Sequence, residues 1–324
     1  MQEVSKNIFY QEIEGWAWVS HTQLDTWCRS LVPEDTLHYF LDETSVHAIG
    51  CVGFEKRKAG LKMLIIHGEC IRENIQHSMV KDFYANIAEL GFDIIEINSD
   101  SVYNPEYEIG MREAGLLRPV GLFSTTLSKW IDLTNSITYD KNWKRNLKKA
   151  EHSNLSFQLY DNQTITDDII AAYIRIQQEM TTRKGFSENL NEKQLRLLLS
   201  DCHFVLGTIW HENNLVSGMV AFIEDGKRSM SLYSASSLEG RKYSASYLLR
   251  LEVMRYAAQQ RNIPIFDMGR LSPAKHAKND IYLFKNGIDG SHVQYNGEWL
   301  WCKQKWMPLV LYFMKKYIWK RVQV

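Results

Sequence analysis

Five cations crowd into one short stretch, Tyr139–Leu155 (YDKNWKRNLKKAEHSNL): Lys141, Lys144, Arg145, Lys148 and Lys149. Wound at helical pitch, Lys141, Arg145 and Lys148 share a face. Such a face can clamp phosphate groups, although it is more often the solvated side of a helix joining two domains. A second stretch, Leu232–Arg250 (LYSASSLEGRKYSASYLLR), runs from a strand through a Ser-rich loop into a helix beginning near Ser246. The first N–H groups of that helix could hold an anion, but serine-rich starts are also common helix caps. A third, Asp280–Gly290 (DIYLFKNGIDG), sets Lys285 between Phe284 and an Asn-Gly pair. If Tyr282–Lys285 is extended, Phe284 enters the core and Lys285 faces a cleft. A lysine before Asn-Gly is otherwise most often a surface turn residue. Asp267, near the end of the strand IPIFDMG, could orient an amine or accept a proton, or simply cap a loop.

Other chemistries find little support. Cys202 and His203 are adjacent, so in a strand their side chains diverge and cannot pair as nucleophile and base. The ten histidines show no metal spacing, and there is no phosphate-binding Walker loop and no G-x-S-x-G elbow. The five cysteines are odd in number and widely spaced, which argues against a disulfide framework and for a reducing compartment.

The elements that must position these residues read as α/β. Strands are expected at His47–Phe54, Leu61–His67, Phe92–Asn98 and Trp130–Leu133, with helices near Met79–Leu90 and Pro105–Ala114. The second half repeats the plan. A long helix spans about Thr166–Thr182 and a shorter one Glu192–Leu199. Strands follow at His203–His211, Leu215–Glu224 and Arg228–Ala235, then a helix from Ser246 to Gln259 and a strand at Ile263–Gly269. Aligning FDIIE at Phe92–Glu96 with IPIFD at Ile263–Asp267 matches apolar with apolar and acid with acid. The pattern predicts two βαβ-type domains with mixed sheets, at 1–138 and 139–302, and a basic aromatic helix at 303–324.

Composition sets outer limits. The chain has 324 residues, 45% hydrophobic and 12% aromatic, enough for one or two packed cores and too apolar for disorder. Lys+Arg and Asp+Glu are both 38, so the whole chain lacks the basic excess of a duplex-coating protein. No secretory leader and no spanning apolar run is read, so a soluble, cytoplasmic protein is expected. In the tail, Trp306, Val310, Phe313, Met314 and Tyr317 fall at helical spacing among six basic residues and no acid. It could lie on an anionic membrane, though a terminal helix packed on the second domain with exposed lysines is the preferred reading.

Taken together, WKRNLKKAE, the helix end Met180–Phe186 (MTTRKGF), SASYLLRLEVMRYA, IFDMG and FKNGIDG followed by Tyr-Asn-Gly-Glu resemble the Fem family of aminoacyltransferases. The likeness is clearest from Asp140 to Trp301. It implies two tandem GNAT-like domains, and transfer of an aminoacyl group from aminoacyl-tRNA to an amine of a peptidoglycan precursor. The 20 or so residues between Thr182 and His203 are too few for the coiled-coil arm of some members. The resemblance gives Lys285 the role of holding the oxyanion, with Phe284 fixing its direction and Asp267 assisting. Arg183, Lys144 and Arg145 become candidates for phosphates of the acceptor or the tRNA end, and Tyr233 for the cleft wall. Acetyl-CoA-dependent acyltransferases usually carry R/Q-x-x-G-x-G/A at the helix start; here Arg241 is present but serines replace both small positions, which hinders approach of a pyrophosphate. An acyl-CoA-dependent N-acyltransferase acting on an envelope sugar or polysaccharide precursor remains the alternative, as does a non-catalytic glycan-binding relative. Because the incoming amine is itself the nucleophile, neither metal nor tightly bound cofactor is implied.

Overall fold

The computed structural model describes residues 1–43, 47–58, 60–119, 125–185, 190–272 and 280–318. Phe186 and the end of the tail, 319–324, lie outside them. In chain order the main strands are β1 (Gln2–Val4), β2 (Leu37–Leu41), β3 (Ile49–Lys58), β4 (Leu61–His67), β5 (Ile94–Val102), β6 (Leu127–Asp132), β7 (Leu155–Tyr160), β8 (Phe204–His211), β9 (Asn214–Glu224), β10 (Arg228–Ser236), β11 (Ile265–Arg270) and β12 (Ser291–Cys302). The helices that matter here are α1 (His77–Ala88), α2 (Pro105–Glu113), α3 (Lys141–Glu151), α4 (Asp167–Lys184), α5 (Glu192–Leu199), α6 (Leu238–Lys242), α7 (Ala245–Arg261), α8 (Asp280–Asn286) and α9 (Met307–Phe313).

The chain divides into two compact units, Met1–Leu127 with Val293–Val324, and Ser128–His292. In the first, β1 to β4 pair antiparallel in the order β1-β2-β3-β4, and β5 joins β4 in parallel. Helix α1 makes the crossover that a parallel pair requires. In the second, β7, β8, β9 and β10 form an antiparallel run, and β11 joins β10 in parallel after the crossover helix α7. Both sheets are therefore mixed and follow one plan.

The unit boundaries differ from those expected at 138/139 and 302/303. Strand β6, read as closing the first domain, pairs antiparallel with β11 of the second unit. Strand β12, whose residues the sequence assigned to the second domain without marking them as a strand, pairs antiparallel with β5 of the first. Each sheet thus takes its last strand from the other half of the chain. Local patterning marks a strand but does not name its hydrogen-bond partner.

The tail also departs from expectation. Helix α9 sits in the first unit, where Met307 and Leu311 pack with Met63, Ile94 and Leu300. The winding then loosens to a π turn at Met314–Ile318, and Lys315 is buried with its ammonium 2.6 Å from Glu96 Oε1.

Between α4 and β8 the described residues hold the short helix α5. Gly185 ends α4 at φ +67°, a left-handed C-cap in which its N–H closes on Thr181 and Thr182 carbonyls. In α3 the Asp140 carboxylate caps the start by accepting from Trp143 N at 2.7 Å. Trp143, Leu147 and Ala150 face the core of the second unit while the lysines point outward.

Candidate functional site

Phe284 and Lys285 lie on α8, a helix of seven residues, and not on extended backbone as expected. So short a helix is marginal alone, and neighbours hold it. Trp143 Nε1 donates to the Phe284 carbonyl at 2.7 Å, and Lys129 Nζ donates to the Asn286 carbonyl at 3.0 Å. These bonds satisfy carbonyls that a helix C-terminus leaves without partners. Phe284 packs edge-on against Tyr247 (ring centroids 4.9 Å apart) and tilted against Trp143 (5.3 Å). The core position expected for Phe284 is reached by a different backbone, because neighbouring residues on a helix diverge by about 100° rather than 180°.

Lys285 is consequently drawn in beside strand β11. Its Nζ donates to the Arg270 carbonyl at 2.9 Å. Gly269, at φ +77°, clears its path: a Cβ there would stand 3.3 Å from Lys285 Nζ and 3.3 Å from the Ser231 carbonyl oxygen. The ammonium is pushed down to about 8, first by burial and then by the charge of Arg250, with Asp267 pulling the other way. A charged, partly desolvated ammonium with one fixed hydrogen bond retains two donor positions for an incoming oxygen.

Asp267 is 2% exposed, and its Oδ1 accepts from Ser128 Oγ at 2.5 Å and Gly269 N at 2.7 Å. It holds the irregular turn of register within β11, between Asp267 and Arg270, and balances charge at Lys285. These contacts suit a residue acting through its neighbours better than one that meets an amine.

Arg250 was missed in the sequence. It lies on α7, is 5% exposed, and its guanidinium stands over Phe266 (5.6 Å to the ring centroid) and Phe284 (5.8 Å). Its Nε and Nη1 are sealed from solvent and find no hydrogen-bond acceptor among the described residues. Burial brings the group down to about 9, with Asp267 opposing. The available signal was an arginine inside the apolar run LLRLEVM. One buried and one partly buried cation around one buried carboxylate leave the site with excess positive charge, suited to an oxyanion.

The remaining candidates are placed as follows. Arg183, at the end of α4, donates to the Ser236 carbonyl at 3.2 Å and pairs with Glu179 at 3.3 Å. Arg241 is exposed on α6. The neighbouring Lys184 is held below its ordinary value by burial and then by Arg183 and Arg241, with Asp280 opposing. These three cations therefore share one electrostatic neighbourhood that includes the first residue of α8. Lys144 and Arg145 are exposed on α3, with Arg145 donating to Asn142 Oδ1 at 2.7 Å. Half-buried Tyr233 accepts at its carbonyl from Tyr173 OH at 2.8 Å.

In the Ser-rich loop, Ser244 has φ +57° and turns its hydroxyl to Asn146 Oδ1 at 3.1 Å, so it does not cap α7. Asp201, Cys202 and His203 lie in a turn just before β8. That correction to the expected strand brings Cys202 Sγ within 3.9 Å of His203 Nδ1. Their ligand atoms gather within 4.8 Å on the surface, far in sequence from the α8 site. Among the described residues no helix is long and apolar enough to cross a membrane.

Residues 208–316, about a third of the chain, match the FemAB family. That span holds α7, β11 and α8. No curated protein matches the sequence as a relative. In fold, the chain is similar to the crystal structure of FemX, with a TM-score of 0.74 at 11% identity over 96% of this chain and 100% of that one. It is also similar to L-PGS from Bacillus licheniformis (TM-score 0.64, 13% identity, 98% of both chains). A tandem GNAT protein from the clavulanic acid biosynthesis pathway gives a TM-score of 0.54 at 10% identity, over 93% of this chain and 97% of that one. The stretch that matches the FemAB family thus includes the Lys285 site, and the two mixed sheets around it share their fold with FemX and with a tandem GNAT protein.

Proposed function

We propose that this chain is an aminoacyltransferase of cell-envelope synthesis, acting in the cytoplasm, that carries an aminoacyl group from aminoacyl-tRNA to an amine of a phosphorylated muropeptide or glycan precursor. The observation that carries this reading is Lys285: a partly buried ammonium with one fixed hydrogen bond, inside the segment that matches the FemAB family.

The neutral amine attacks the ester carbonyl, a C–N bond forms, and the carbonyl electron pair moves to oxygen. The Lys285 ammonium faces that oxyanion. Collapse of the intermediate breaks the ester C–O bond, and the departing alkoxide takes the proton that the amine gives up. Oxyanion donors of this kind typically contribute about 2.7–4 kcal/mol. Phe284 fixes the direction of Lys285. Asp267 and Arg250 act through the lysine, one favouring and one opposing its charge. Arg183 and Arg241 form the phosphate-binding side, joined by Lys184, while Lys144 and Arg145 offer outer contacts for the tRNA end and Tyr233 lines the approach. No cofactor step is required, because the attacking group belongs to the acceptor.

The test is transfer of a labelled aminoacyl group from charged tRNA to UDP-muropeptides, followed by mass spectrometry. Loss of about 10²–10³ in rate with Lys285→Ala is expected; transfer that survives within tenfold removes Lys285 from the mechanism. The second reading, an acyl-CoA-dependent N-acyltransferase, draws on the likeness in fold to the tandem GNAT protein from the clavulanic acid biosynthesis pathway. Micromolar binding of acetyl-CoA by calorimetry would favour it. The side chains of Ser244 and Ser246, at the two small positions where α7 begins, argue against it.

A further inference from the structure

The tail helix presents an apolar face to solvent as well as to the core. Met307 and Leu311 point inward and are buried, with Lys315 on the same side. Trp306, Leu309, Val310, Phe313, Tyr317 and Ile318 are each between 43% and 68% exposed. At about 100° per residue, the first five of these fall within roughly a 100° arc. The stripe is continuous at its aromatic end, where Phe313 and Tyr317 stack with centroids 5.8 Å apart. Single exposed apolar residues are ordinary, but a contiguous apolar stripe on a helix marks a docking face.

Charge selects the occupant. Residues 303–318 carry no acid. Lys303 and Lys305 are exposed at the entry to α9, and Lys316 lies beside the stripe with its Nζ on Tyr312 OH at 3.0 Å. Lys315 is already committed to Glu96. Trp and Tyr suit the headgroup level of a bilayer, where an apolar ring body and a polar edge meet different surroundings. The helix is too short to cross, so it would lie in the interface. We infer that Trp306–Ile318 is a membrane-docking face that seats the first unit on a bilayer rich in anionic lipid. The inference rests on the exposed stripe and its cations, and stands whether or not the proposed transfer reaction is right.

The test is co-sedimentation of the full chain with phosphatidylcholine vesicles and with phosphatidylcholine–phosphatidylglycerol vesicles, at low and high salt. The expected result is binding to the anionic vesicles that is at least tenfold stronger than to phosphatidylcholine and weakens with salt. Leu309→Glu with Phe313→Glu should reduce it at least tenfold while leaving the thermal melt unchanged, since both side chains face solvent. Lys303→Glu with Lys305→Glu should remove the preference for anionic lipid. Equal binding to both vesicle types, or no binding to either, overturns the inference. So does a concentration-dependent dimer, seen by sedimentation velocity, that the same double glutamate variant dissolves while vesicles fail to bind, for the occupant would then be a second copy.

Discussion

Replacing Lys285 by methionine should make the protein more stable while abolishing transfer. An ordinary lysine titrates at 10.5, and this one is pushed down to about 8. The folded state thus resists protonation that the unfolded chain accepts, so the unfolded chain binds more protons between those values and stability rises with pH across that window. A 2.5-unit shift corresponds to about 3 kcal/mol of destabilisation at pH 7, falling below about 1 kcal/mol at pH 10. Methionine keeps the apolar stem and removes the charge. It forfeits the hydrogen bond to the Arg270 carbonyl, worth about 1 kcal/mol. Lys285→Met should therefore gain about 2 kcal/mol at pH 7 and nothing, or a small loss, at pH 10. Urea unfolding of both proteins at the two pH values measures this, alongside the transfer assay. A variant less stable than the parent at pH 7, or a gain that does not shrink at pH 10, would refute the reasoning about burial.

Four further outcomes are expected. If transfer needs the charged lysine, kcat/KM should fall as pH rises through about 8. Asp267→Asn should move that limb to lower pH and Arg250→Leu to higher pH, and a pH–rate profile would show it. Phe284→Ala removes half-buried packing on Tyr247 and Trp143 and should cost ~2 kcal/mol in denaturant unfolding. Gly269→Ala demands a left-handed φ of +77° and crowds Lys285 Nζ, so kcat should fall more than the melting temperature does. In the first unit, Glu69 is pushed up to about 7, first by burial and then by Asp100, while Ser101, Ser99 and Tyr107 oppose. A raised carboxyl costs stability as pH rises from 4.5 through 7, so Glu69→Gln should gain on the parent between pH 5 and pH 8 in unfolding titrations.

The sequence read Phe284 and Lys285 on extended backbone, whereas the structure winds them into α8, with Phe284 packed inward and Lys285 beside β11. Seven residues cannot separate a period of 2 from one of 3.6 when only two positions are informative. What makes α8 a helix is external: the indole of Trp143, 141 residues upstream, and the ammonium of Lys129 bond its last carbonyls. Arg250 was invisible for a related reason. An arginine in an amphipathic helix normally reaches water, and only the packing of Phe266 and Phe284 over its guanidinium seals it in. Arg183 and Arg241 were legible as cations, but that Lys184 feels both of them follows from where α4 and α6 end.

By itself the sequence determined the long helices and most of the central strands, since apolar residues at period 2 or 3.6 commit a stretch to one hydrogen-bonding geometry and one buried face, while short elements such as α8 and the strands β1, β2, β7 and β12 escaped it. It thereby fixed an α/β chain with two mixed sheets. Tertiary structure alone decided that β6 closes the second sheet and β12 the first, that α9 settles on the first unit with apolar residues outward, and that Lys285, Arg250 and Asp267 feel one another's charge beside β11. Each of these depends on pairing or desolvation between residues far apart in the chain, and no local pattern carries the identity of a distant partner.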